Sequence, residues 1–203
     1  MNLFEDIKLY LPKYLSSVSE EELFKELKYF PNNINERLYT NKLKDQNIIY
    51  QGDGVEGLLF VNLPDKNFGE LPGMVISNTC DINPSNKRFS PVNIVYSPII
   101  NLEKYIDNLI KRGANPEAVK NHAVSIKKQE VTSMFYLPKG ASLKTESVVF
   151  LDKINSCDSE YLKPERIENL KLFTLSDYGF YLFIIKLSIH FTRIRERVDR
   201  GSY

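Results

Sequence analysis

The chain has 203 residues, 42% of them hydrophobic and 26% charged, so a packed globular core is expected and wholesale disorder is argued against. A formal net charge of +1 supplies no global field for gathering nucleic acid, so any RNA contact has to come from a local basic patch. Cys80 and Cys157 lie far apart without a CxxC pair, which argues against structural zinc and against a disulfide scaffold; no metal and no cofactor are expected.

The opening stretch places Leu3, Phe4, Ile7, Leu11, Tyr14 and Leu15 at helical spacing, with Pro12 ending or bending the helix. Its early acidic residues do not read as a signal peptide, and the apolar run Tyr178 to Leu187 is too short to span a bilayer. A soluble, cytoplasmic protein without membrane contact is therefore expected. Ser19-Glu20-Glu21-Glu22 has the form of a capping box ahead of Leu23, Phe24, Leu27 and Phe30, predicting a second helix that stops near Pro31.

From Ile48 the period shortens. Strands are predicted at Val55 to Leu63, Met74 to Ile76 and Asn93 to Tyr96, with Asp65 to Gly73 and Asn78 to Pro91 as loops. Leu102, Tyr105, Ile106, Leu109 and Ile110 return to helical spacing; Gly113 can end that helix and Pro116 can open another, to about Val131. Strands resume at Met134 to Leu137 and Ser147 to Ile154. Ser176 is the expected N-cap of a long helix to Arg197 that buries Phe180, Phe183, Ile184, Leu187 and Phe191.

Five segments carry a further pattern: Gln51-Gly52-Asp53 before the first strand; Met74-Val75-Ile76-Ser77-Asn78; Arg88-Phe89-Ser90-Pro91 followed by Asn93-Ile94-Val95; Glu146 to Ile154; and Thr174-Leu175-Ser176 before the last helix. In this order they resemble the core of the MazF/PemK family of bacterial toxins, small SH3-like barrels that cut single-stranded RNA. The resemblance implies an α+β fold: a small antiparallel β-barrel with added N-terminal, central and C-terminal helices. On that reading residues 1–45 are a helical extension, 46–100 and 134–175 the barrel core, 101–133 a helical insertion and 176–203 the terminal helix. It also implies a toxin or phage-defence role, metal-independent cleavage of single-stranded RNA, a homodimer, and a protein antitoxin or defence-system partner.

Cutting RNA without metal needs a base for the ribose 2′-hydroxyl, an acid for the leaving oxygen and a donor at the phosphate. Asp81 is the candidate base and Arg88 the phosphate clamp, with Thr79 or Ser97 donating hydrogen bonds. Cys80 is a candidate nucleophile if the insertion brings His122 over it; its ordinary reading is a small buried hydrophobe. Gln51, Asp53, Lys87 and Arg193 are candidate RNA contacts. Ordinary alternatives stand beside these: an Asx-turn for Asp81, a salt bridge for Arg88, and helix-dipole compensation for the basic terminal turns.

Leu71-Pro72-Gly73-Met74 stands where the toxins commonly carry an arginine before the central strand. A second reading follows from that departure: a non-catalytic adaptor or sensor whose added helices bind a partner protein.

Overall fold

The computed structural model describes residues 17–43, 46–86, 89–90, 92–162 and 169–192. The expected first helix and the candidates Lys87, Arg88 and Arg193 lie outside these residues. Among the described residues are six α-helices: α1 (Ser17–Leu27), α2 (Ile34–Arg37), α3 (Thr79–Ile82), α4 (Leu102–Lys111), α5 (Pro116–Lys127) and α6 (Asp177–Thr192). The eight strands are β1 (Tyr39–Thr40), β2 (Gly54–Val61), β3 (Phe68–Val75), β4 (Asn93–Asn101), β5 (Met134–Leu137), β6 (Ser147–Phe150), β7 (Asn155–Asp158) and β8 (Lys171–Leu175). No helix among the described residues is long and apolar enough to cross a membrane.

The strands form one antiparallel sheet in the order β1-β8-β2-β3-β4-β6-β5, with β7 also beside β4. The sheet does not close into a barrel by a strand ladder, since β1 and β5 end the order. The loop after β5 instead crosses to β8, where the Ser142 N–H donates to the Leu172 carbonyl at 3.0 Å.

Period-two alternation puts neighbouring strand residues on opposite faces. Met74 joins one core with Ile99, Phe135, Val149 and Phe173, whereas the next residue, Val75, joins a second with Val55, Leu58, Phe60 and Tyr96. Both faces are therefore covered, and full burial of a side chain of this size contributes about 1.5–3 kcal/mol. The helical insertion belongs to the first core, where Leu102 of α4 and Ile126 of α5 are buried with Phe135. Its helix ends follow local chemistry. Asn115 accepts from the N–H groups of Glu117 and Ala118, Pro116 occupies the first turn, and Gly113 takes a φ of +90° after α4.

Ser176 caps α6, its Oγ accepting from the Gly179 N–H at 3.1 Å. Phe183 enters the first core, while Tyr178 and Tyr181 pack with Leu23 of α1 on another side of the helix. Gly179 permits this close approach, because a Cβ there would lie 2.2 Å from the Leu38 carbonyl oxygen. Phe191, expected in the core, is 53% exposed near the end of α6.

Element boundaries differ from the sequence expectation at several places. Helix α1 already runs from Ser17, so the Ser19 capping pattern lies inside it. Strand β3 begins at Phe68, within the expected loop, because its outer residues Phe68 to Leu71 are exposed and no buried face imposes alternation on them. The expected strand Ser147 to Ile154 is broken into β6 and β7. Strand β4 advances from Ile99 to Tyr96 while its partner advances from Val149 to Asn155, and the surplus residues form a turn in which Leu151 is buried and its N–H donates to the Ser133 carbonyl at 2.9 Å.

Candidate functional site

The Gln51-Gly52-Asp53 segment is a tight turn against the end of β3. The Asp53 N–H donates to the Tyr50 carbonyl at 3.0 Å, and Gly52, with a φ of +89°, donates its N–H to the Val75 carbonyl at 2.8 Å. Asp53 is fully buried. Its Oδ2 accepts from the Tyr50 N–H at 2.9 Å and lies 2.9 Å from Lys171 Nζ. Lys171 also donates to the Ile48 carbonyl at 2.8 Å and sits 5.1 Å from the centre of the Tyr50 ring. Burial pushes the Asp53 carboxyl above its ordinary pKa; Lys171, the Tyr50 N–H and the Thr174 hydroxyl pull in the opposite direction. Expected as an RNA contact, Asp53 is instead inside the fold, where it anchors the turn through Lys171.

Gln51 reaches two other segments. Its Nε2 donates to the Ile76 carbonyl at 2.7 Å, and its backbone N–H donates to Thr79 Oγ1 at 2.9 Å. Thr79 begins α3, which Asn78 caps by accepting from the Cys80 N–H at 2.9 Å. Asn86 holds the other side of this turn, its Nδ2 donating to the Cys80 carbonyl at 2.6 Å. The Cys80 and Asp81 side chains are exposed. Asp81 also lines an open cleft of about 300 Å³ that includes Asn86 and Glu160 in its walls.

The structure thus brings Gln51, Thr79, Cys80 and Asp81 into one neighbourhood. Ser97, also expected there, is fully buried in β4 opposite Met74, so its hydroxyl faces the interior. Strand alternation was a sound guide to its face, but that face is covered. His122 is engaged on the insertion, its Nε2 lying 3.1 Å from the Tyr105 hydroxyl.

Sequence reasoning missed Lys171 and Glu160, neither of which sits in a local motif; only the folding of β8 and the turn after β7 brings them near the opening segments. It also missed how the outer half of β2 is finished. Tyr161 and Tyr96 donate to the carbonyls of Gly57 and Leu59 at 3.0 and 2.6 Å, and Asn155 Oδ1 accepts from the Val61 N–H at 2.9 Å. Side chains here satisfy backbone groups that a neighbouring strand would otherwise pair.

No protein-family model matches this chain, and no curated protein matches it as a relative.

Proposed function

We propose that this protein is a MazF/PemK-like toxin or phage-defence protein that binds single-stranded RNA beside α3 and cuts it without metal. The observation that carries this reading is the 2.9 Å hydrogen bond from the Gln51 N–H to Thr79 Oγ1, which joins two separated candidate segments and leaves Asp81 exposed at a cleft. The ordered sequence resemblance supports it independently. In this reading the curled sheet is an SH3-like barrel whose seam lies between β1 and β5.

Asp81 takes the proton of the ribose 2′-hydroxyl, the 2′-oxygen attacks phosphorus, and the P–O5′ bond breaks as the 5′-oxygen takes a proton from solvent water, to which Asp81 afterwards gives up its own. The products are a 2′,3′-cyclic phosphate and a 5′-hydroxyl. Arg88, close to Asp81 in sequence, stabilises the phosphate charge, and the Thr79 hydroxyl is a further donor. Lys87 and Arg193 contact the RNA backbone. A homodimer, a protein antitoxin and a cytoplasmic site of action belong to the same reading.

The test is incubation of the full chain with a long unstructured RNA in EDTA, beside Asp81→Ala and Arg88→Ala variants. Discrete fragments ending in 2′,3′-cyclic phosphate are expected, with at least about a hundredfold loss in each variant. Intact RNA with a folded, uninhibited protein would overturn the nuclease reading.

The adaptor reading is favoured by a different observation. The β2–β3 hairpin exposes Leu63 and Phe68 at 78% and 77%, a feature suited to a protein partner. RNA left intact would make that hairpin and the added helices the surfaces to test for partner binding.

A further inference from the structure

We propose that the cleft beside α3 is a pocket for a single guanine base, an inference that rests on the RNA-directed reading above and names the base it selects. The floor of the cleft is formed by Ile49, Ile82, Ile94 and Leu162, which are exposed by only 6%, 7%, 2% and 4%. Such a floor suits a flat heteroaromatic ring. The volume of about 300 Å³ is at the small end for ligand sites, matching one base or nucleoside rather than a length of RNA.

The walls are different in character. They include Asp81 and Glu160, the amide residues Asn47, Asn83 and Asn86, and Ser159; no Lys, Arg or His is among the described lining residues. Asn86 uses its Nδ2 on the Cys80 carbonyl, and its Oδ1 is an acceptor. The two carboxylates are acceptors only and call for a ligand edge rich in donors.

Guanine meets that demand better than the other bases. Its Watson–Crick edge presents N1–H and N2–H₂ side by side, a fork that one carboxylate accepts with both oxygens. Adenine and cytosine set one amino group beside a ring acceptor, whose lone pair opposes the carboxylate. Uracil sets one N–H between two carbonyls. A carboxylate has about four lone-pair sites, so accepting a base edge does not require that it have no other partner. The Glu160 carboxylate disfavours a phosphate inside the cleft, consistent with a base splayed out of single-stranded RNA.

The test is calorimetric titration of the full chain with guanosine, inosine, adenosine, cytidine and uridine, all without phosphate. Guanosine is expected to bind about five- to a hundredfold more tightly than the others, the discrimination a bidentate base contact gives. Inosine lacks the N2 amino group and should fall with the weaker set. Asp81→Asn and Glu160→Gln alter wall side chains without shortening them, and at least one should remove the preference while leaving the melting temperature unchanged. Absence of guanosine binding, equal binding of the five nucleosides, or a preference that survives both substitutions would each overturn the pocket. The two readings fail separately. Guanosine selection with intact RNA leaves the pocket standing and removes the nuclease; cleavage without guanosine selection does the reverse.

Discussion

The hydroxyl of Tyr39 in β1 donates a 2.7 Å hydrogen bond to the carbonyl of Pro138, just beyond β5, so one side chain joins the two ends of the sheet order. The Tyr39 ring also lies 4.9 Å from that of Phe173 in β8, and burial holds its phenol far above the ordinary pKa. Tyr39→Phe keeps the ring and deletes the bond. A loss of about 1 kcal/mol is expected, seen as a melting temperature lower by about 2–4 °C. An unchanged melt would show that the seam does not depend on this hydroxyl.

The buried pair of Asp53 and Lys171 yields a sharper outcome. Removing either partner strands the other charge in the interior, so Asp53→Ala and Lys171→Met should each destabilise by about 3–5 kcal/mol. Urea denaturation of the two single variants and the double variant forms a cycle. The double variant should be much less destabilised than the sum of the singles; simple additivity would mean that the two groups do not act as a pair.

Gln129 stands at the other end of the sheet. Its Nε2 donates to the Tyr136 carbonyl at 2.9 Å and its Oε1 accepts from the Tyr136 N–H at 3.1 Å, so one amide completes the outer edge of β5. Its φ of 61° is in the left-handed region. Gln129→Ala loses both bonds and keeps the strain, whereas Gln129→Gly loses the bonds and relieves it. The glycine variant should therefore be more stable than the alanine variant by about 1 kcal/mol in denaturant titrations. The reverse order would refute this account of the position.

Lys186 of α6 is 6% exposed and donates to the Gln129 carbonyl. Burial lowers its pKa from 10.5 to about 8. Between those values the unfolded chain holds more protons than the folded one, so this side chain's contribution to stability rises with pH across the window. Lys186→Met has no such term. Its stability advantage over the parent, or its deficit, should shift in the parent's favour between pH 8 and pH 10, by at most about 1.4 kcal/mol per pH unit. A difference that stays constant over this range would contradict a destabilised lysine charge.

Much of the helical architecture was legible because its signals are local. Pro116 and Gly113 act on their own and adjacent turns, and Ser176 caps the first turn of α6, so these ends could be placed without knowing what the helices touch. Strands β2 and β5 were legible for a similar reason, as short apolar runs bounded by turn residues. The Thr79-Cys80-Asp81 segment was found as a polar cluster, although its one-turn helix was not.

Tertiary structure alone decided the rest. Whether Phe68 to Leu71 belongs to a strand depends on β2 beside it, and the break between β6 and β7 depends on how both pieces pair with β4. Tyr178 and Phe183 were apolar positions on one helix, but which neighbours they met depended on where α1 and the sheet came to rest. The fate of Asp53 is the clearest instance. Locally it is an acidic residue in a glycine turn, equally suited to solvent or ligand; Lys171, arriving from β8, makes it a buried anchor. Sequence specifies the chemistry each residue offers, but partner and solvent exposure depend on distant segments meeting, and those contacts decide whether a charge is a surface tool or part of the scaffold.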